Sequence, residues 1–289
     1  MSSMPFHSVQ AESLGAFVAL KHAQGYRYTQ QRDLLRRFDR FLRHRSYSRR
    51  WLIQGVVDAY IAQMSHTTAY SQSTMLSPVR DYSAYLQLRY PESYVLRMLP
   101  LRPQRPCRFH IYSQEEVAAL MGAAAALGPP DTIRGLTVKT LIGLLYSCGL
   151  RISEALALNI SDLDAEQRTL FVRKGKFGKD RYVPLSASTV DALLGYRERV
   201  TRAIMADEAL LVARTGKRLH ATTIGNLYRK LVRECGIASA APWPRLQDLR
   251  HTYAVNCLCK WYEQGLDVNA MLPVLSTAMG HVKVSCTQI

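Results

Sequence analysis

Between Ile133 and Leu145 the only charged residues are Arg134 and Lys139, and apolar and small side chains fill most of the rest. The run is too short to cross a bilayer, which takes roughly 18 to 20 apolar residues. It is also too apolar to lie on a surface, so it predicts a buried central helix, and such a helix needs other elements packed around it. Gly149 ends it, which puts Arg151 at the start of a further short helix with Glu154 one turn on, near enough to orient the guanidinium. The chain has 289 residues, long enough for two domains, and its 48% hydrophobic content can fill packed cores.

Upstream of this helix the periodicity is helical throughout. Leu14, Phe17, Val18 and Leu20 begin a first helix that Gly25 closes. A second, from about Gln30 to Arg45, sets Leu34, Leu35, Phe38, Phe41 and Leu42 on one face and Arg32, Arg36, Arg40 and Arg43 on another. Val56, Val57, Tyr60, Ile61 and Met64 mark a third, and Tyr82, Tyr85, Leu86 and Leu88 a fourth that ends before Pro91. Four short amphipathic helices make a small bundle over residues 1–100. The composition then changes at Leu101 to His110, where two prolines and three arginines predict an extended basic linker over 101–111. A second domain, 112–289, opens on a Ser113/Glu116 capping box.

In this second domain Leu158–Leu163, Thr169–Arg173 and Arg181–Leu185 read as short strands, the last two flanking a hairpin tip with Lys174, Lys176 and Lys179. Helical spacing returns in Val190–Ile204, in Ile224–Val232, where Arg229, Lys230 and Arg233 turn partly away, in Leu249–Cys259 and in Val268–Met279. The fold class is therefore mainly α with a small antiparallel β-sheet.

Charge narrows the partners. Lys and Arg total 38 against 22 Asp and Glu, a net +16, which favours a polyanion, and arginine heavily outnumbers lysine up to Pro106. The exposed-face residues Arg36, Arg40, Arg43, Arg229 and Lys230 are candidates for contact with a DNA backbone, although a charged helix face is more often only solvated. Cys107, Cys148, Cys235, Cys257, Cys259 and Cys286 show no CxxC pairing, so neither a zinc site nor a disulfide framework is expected. No metal and no cofactor is expected. With no signal-like N-terminus and no membrane-length apolar run, the expected location is cytoplasmic.

Two arginines in apolar settings stand out: Arg151 in Tyr146-Ser-Cys-Gly-Leu-Arg-Ile-Ser-Glu154, and Arg250 in Gln247-Asp-Leu-Arg-His-Thr-Tyr-Ala254. A guanidinium is permanently charged and its fork of donors matches two phosphate oxygens, so a pair of them can hold one phosphodiester from two sides. The plainer reading makes each a structural arginine satisfied by a carboxylate such as Glu154 or Asp248.

These boxes, with the Gly175-Lys176-x-x-Lys179-Asp180-Arg181-x-Val183-Pro184-Leu185 hairpin and Gly280-His281, resemble the tyrosine recombinase (phage integrase) family in order and spacing, from about Tyr112 onwards. The resemblance implies a site-specific DNA recombinase whose two domains clamp duplex DNA, with a tetrameric synapse of copies and a 3′-phosphotyrosyl intermediate. It makes Arg151 and Arg250 the ligands of the scissile phosphate. Lys176 becomes the proton donor to the leaving 5′ oxygen, His281 a hydrogen-bond donor to the phosphate, and Glu154 a supporting acid. Integration or transposition of a mobile element is the kind of process implied. Where the family usually has histidine this chain has Gln247, which can hydrogen-bond an oxygen but cannot carry a proton at neutral pH. The nucleophilic tyrosine, counted ten residues on from Gly280, falls one position beyond Ile289, so the sequence reading expects a chain that stops just before its nucleophile. A DNA-binding protein derived from such a recombinase and without catalysis is the alternative. A type IB topoisomerase shares the chemistry but fits the short chain and motif spacing less well. A metal-dependent nuclease lacks clustered carboxylates near the arginines.

Overall fold

The computed structural model describes residues 6–100, 109–129, 132–173, 180–201, 208–238 and 243–280, together with the helical backbone of 202–203. The chain divides into two compact units, Met1–Pro106 and Cys107–Ile289. In the first, α1 (Ala11–Ala23), α2 (Thr29–His44), α3 (Gln54–Ala62) and α4 (Ala69–Gln87) enclose one core. Leu14, Phe17, Leu35, Phe38, Leu42, Val57, Leu76 and Tyr82 lie at its centre. Each such buried side chain contributes about 1.5–3 kcal/mol. Two buried polar groups tie the bundle together. Asp39 on α2 accepts the backbone N–H groups of His7 and Ser8 at 2.8 and 3.0 Å, and Tyr82 donates to the Gln10 side chain at 2.9 Å.

The fourth helix is longer than its sequence periodicity shows. It starts at Ala69, because the Thr68 hydroxyl accepts the Ser71 N–H and caps it, and Leu88 stands 86% exposed beyond its end rather than on the apolar face.

In the second unit, α5 (Gln114–Ala125) begins at the expected capping box, with Glu116 N–H donating to the Ser113 hydroxyl at 3.1 Å and Ser113 N–H to the Glu116 carboxylate at 2.9 Å. Helix α6 (Ile133–Cys148) is the buried centre and packs against α5, α8 (Ala187–Ala203) and α10 (Leu246–Glu263). Its core positions include Val138, Leu141, Ile142, Leu144 and Leu145. Gly149, with φ of 60°, closes it in the left-handed region that favours glycine. Helix α7 (Ile152–Ala157) follows with Arg151 as its N-cap.

Leu158–Leu163 is not a strand. Asp162 accepts the Asn159 N–H at 2.8 Å and returns its own N–H to the Asn159 carbonyl, which winds Ile160–Asp162 into a 3₁₀ turn. Only β1 (Leu163–Asp164) remains extended there. It pairs with β2 (Thr169–Val172), which pairs with β3 (Arg181–Pro184), all antiparallel. Leu170 and Val183 face each other on the core side, while Phe171 and Tyr182 pair on the outer side with rings 4.9 Å apart. The hairpin tip, residues 174–179, lies outside the described residues.

Helices α9 (Ala221–Glu234) and α11 (Val268–Met279) are the remaining helices of the unit among the described residues. The latter packs on α10 and β3. It meets α10 through a small satellite cluster of Ala254, Leu275 and Met279, with Tyr253, Cys257, Leu258 and Trp261 around it. Of the residues read as linker, 101–108 lie outside the described set. Phe109 stacks on His251 with rings 4.8 Å apart and His110 lies 2.9 Å from Glu116, so this stretch packs within the second unit. Among the described residues no helix is long and apolar enough to cross a membrane, no group of side chains is arranged to hold a metal, and Cys148, Cys235, Cys257 and Cys259 are free thiols.

Candidate functional site

Glu154 sits in the first turn of α7 with its side chain 5% exposed. One carboxylate oxygen reaches back to the Arg151 backbone N–H at 2.9 Å, as the N3 acid of a capped helix does, and the other accepts from the Arg151 guanidinium at 2.7 Å. Arg181 approaches from β3 and grips both oxygens, at 3.2 and 2.8 Å. Arg250, in the second turn of α10 and 2% exposed, lies 3.9 Å from the same carboxylate. Burial acts to raise the Glu154 carboxyl, but hydrogen bonds from Arg181 and from Arg151 outweigh it and hold the group down at about 2.

The remaining donors of this cluster converge on the C-terminal end of α11, where backbone carbonyls lack helical partners. Arg181 Nε donates to the Ala278 carbonyl at 2.8 Å, Arg250 Nη2 to Met279 at 2.6 Å, and Arg151 Nη2 to Gly280 at 2.9 Å. Arg250 Nη1 donates to the Gly149 carbonyl at 2.6 Å, which joins the end of α6 to the same network. Groups separated by up to 129 positions thus meet at Gly280. Space is short at both flanking glycines, most of all at Gly149. A Cβ on Gly149 would lie 2.3 Å from the Tyr253 ring, and one on Gly280 would lie 2.9 Å from the Arg181 guanidinium; both residues have positive φ.

Three guanidinium groups pair with the one Glu154 carboxylate, so among the described residues these four side chains carry a net charge of +2. The strain registers on Arg250: burial, and then the neighbouring Arg151, push its guanidinium down to about 9, so it stays charged at neutral pH in surroundings that disfavour the charge. An anion placed there would relieve it. Asp248 does not take part, since it is bound by the Arg245 backbone N–H at 2.8 Å and by its guanidinium at 2.9 Å as the start of α10. Of the two carboxylates weighed as structural partners, then, only Glu154 touches the arginines.

Gln247 is half-buried on α10, three residues before Arg250 and therefore on the same helix side. Lys176 and His281 lie outside the described residues. Tyr253 is turned into the protein, beside Gly149 and Cys257, and burial raises its hydroxyl well above the ordinary value. Of the other candidates, Arg40, Arg43, Arg229 and Lys230 are exposed, Arg36 is partly exposed and pairs with Asp33 at 2.9 Å, and Lys230 lies 3.5 Å from Glu234. Exposed pairs of this kind are worth about 0.2–1 kcal/mol and do not commit the side chains.

Arg181 is the site residue that the sequence reading left out of its candidates. A signal for it exists: strand alternation puts it in phase with the buried Val183, and it is paired across the ladder with the buried Val172. A charge in the core-facing phase of a strand demands a buried partner.

Residues 111–289 match the model of the phage integrase family. Among the curated relatives is a Sinorhizobium fredii protein, y4rE, provisionally named integrase/recombinase; it is 33% identical over 289 residues, covering 96% of this chain and 89% of its own. Tyrosine recombinase XerC of Chlamydia trachomatis is 33% identical over 178 residues, covering 61% of this chain and 51% of its own. Among solved structures, the Tn1549 transposon integrase in complex with transposon right-end DNA shares the fold at a TM-score of 0.61 and 16% identity, over 95% of this chain and 93% of that one. The chain belongs to the phage integrase family, the tyrosine recombinases.

Proposed function

We propose that this protein binds duplex DNA and breaks and rejoins its strands at a specific site through a 3′-phosphotyrosyl link. The observation that carries the reading is the convergence of Arg151 and Arg250 on Glu154 and the end of α11, in a cluster whose three arginines and one carboxylate sum to +2. In this reading Arg151 and Arg250 hold the two non-bridging oxygens of the scissile phosphate, Glu154 orients Arg151, and His281 adds a hydrogen bond from the position after Gly280. Gln247 hydrogen-bonds an oxygen without exchanging a proton. The tyrosine expected ten residues on from Gly280 attacks phosphorus as its hydroxyl proton passes to water, the bond from phosphorus to the 5′ oxygen breaks, and Lys176 gives that oxygen its proton, which the 5′ hydroxyl returns in the second step. A 5′ hydroxyl from another strand then attacks the phosphotyrosine, returns the tyrosine and seals the joint. The bond count is conserved, so the cycle needs no nucleotide hydrolysis.

Charge gathers on the phosphate oxygens in such a transition state, and fixed cations in a water-poor pocket stabilise it without reorganising. Arg36, Arg40, Arg43, Arg229 and Lys230 follow the DNA backbone outside the site, and four copies assemble on paired DNA sites.

The test uses duplexes selected from a randomised library for binding to this chain, each nicked so that a cleaved end is lost, and the chain is extended past Ile289 by a segment that places a tyrosine ten residues on from Gly280. A covalent protein–DNA adduct that falls by at least about 100-fold in Arg250→Ala is expected. Retarded duplex without any adduct would identify the non-catalytic DNA-binding alternative instead, and an Arg250→Ala chain that cleaves normally would remove the assigned role.

A further inference from the structure

We infer that Arg181 is a positioning residue of this site: it locks β3, the strand that follows the lysine hairpin, to the Glu154 carboxylate and to the end of α11. The inference rests on the phosphate-site reading above. It assigns the strand an arginine that acts through Arg151 and through the end of α11 at Gly280, without touching the phosphate.

The geometry uses what a guanidinium alone provides. Nη1 and Nη2 of Arg181 meet the two Glu154 oxygens at 3.2 and 2.8 Å, while Nε, on another edge of the same plane, meets the Ala278 carbonyl at 2.8 Å. An ammonium group can bond one or two of these acceptors but has no planar fork to hold a carboxylate and a carbonyl in fixed relation. The side chain is 10% exposed and the carboxylate 5%, so neither can trade these bonds readily for water. Glu154 is shared with Arg151 at 2.7 Å, and a shift of the carboxylate therefore shifts the phosphate ligand. On the opposite side, the guanidinium fills the place a Cβ at Gly280 would need, 2.9 Å from Nη1 and 3.0 Å from Cζ. Arg181 thus fixes the end of α11 at Ala278 and Gly280. Along the chain it lies five residues after Lys176, and its hold on Glu154 ties the strand leaving the hairpin to the floor of the site.

A catalytic arginine and a positioning arginine differ in what their loss does. The chain carried past Ile289 is compared with its Arg181→Ala, Arg181→Lys, Glu154→Gln and Arg181→Ala/Glu154→Gln forms, with duplex affinity and single-turnover cleavage measured separately. Arg181→Ala is expected to slow cleavage on the order of 100-fold, as a misplacement of about 1 Å does, while affinity changes less than about threefold. Arg181→Lys keeps the charge but not the fork, so it is not expected to restore the rate; it also serves if the alanine form does not fold. Because Arg181 acts through Glu154, removing it in the Glu154→Gln background should cost less than about tenfold more. Cleavage by Arg181→Lys and Arg181→Ala at the unsubstituted rate overturns the inference alone, as does full multiplication of the two losses. No adduct with the unsubstituted chain overturns the phosphate-site reading and the inference with it.

Discussion

Glu154 holds together charges that would otherwise repel. Its carboxyl is depressed from 4.5 to about 2, burial opposing and the arginine hydrogen bonds prevailing. A depressed carboxyl stabilises the fold fully above its unfolded value and loses that contribution as pH falls towards the folded value. The window is therefore about pH 4.5 down to 2, and the gap corresponds to roughly 3 kcal/mol at neutral pH. Glu154→Gln should melt at lower temperature than the unsubstituted chain at pH 7, and the difference should narrow as the pH is lowered through this window. Thermal unfolding followed by circular dichroism at several pH values checks it, and a difference that stays constant from pH 7 to 3 would sink the linkage. Arg151, Glu154 and Arg250 were legible in the sequence because each sits in a short box of apolar and small neighbours. The sharing of Glu154 by three arginines was not, because it depends on β3 arriving from outside those boxes. The sequence also offered Asp248 as a partner, and only the capping geometry at Arg245 shows why it is already occupied.

At the scale of elements, the end of α6 is the tightest joint. Gly149 adopts a left-handed conformation, presents its carbonyl to Arg250 and has the Tyr253 ring where a Cβ would go. Gly149→Ala should destabilise the second unit by at least about 3 kcal/mol, combining an unfavourable backbone with a clash. That corresponds to a fall of roughly 6–12 °C in Tm for a unit of this size. Adding Tyr253→Ala removes the clash but not the backbone strain, so calorimetry of the double variant should show less than the sum of the two losses; full additivity would contradict the contact. The helices themselves were well marked by period and caps, with α6 and the Ser113 box legible to within a few residues. The strand expected at Leu158–Leu163 was not, because alternation in six residues looks the same whether Asn159 and Asp162 stay extended or exchange hydrogen bonds and turn. Likewise the first half of α4 carries few large apolar residues, and its Thr68 cap alone marks the true start.

For the molecule as a whole, a net charge of +16 sets the expected response to salt. If the chain makes 6 to 10 phosphate contacts, duplex affinity should fall by roughly 10³ to 10⁵ between about 50 and 200 mM salt. A titration by fluorescence anisotropy gives the slope, and a flat one would argue against backbone contact by the surface arginines. Arginine substitutions outside the cluster should lower that slope while leaving the second unit's stability unchanged. The end of α11 has one more consequence. Among the described residues its apolar anchorage to α10 is centred on Leu275 and Met279, and the three carbonyls held by Arg181, Arg250 and Arg151 fix its end. If Arg151 and Arg250 take a phosphate as proposed, that phosphate and the Met279 and Gly280 carbonyls are rival acceptors for the same two guanidinium groups. Rivalry of this kind is reciprocal: a force that draws α11 away raises the affinity for the anion, and a bound anion loosens the grip on α11 by the same free energy.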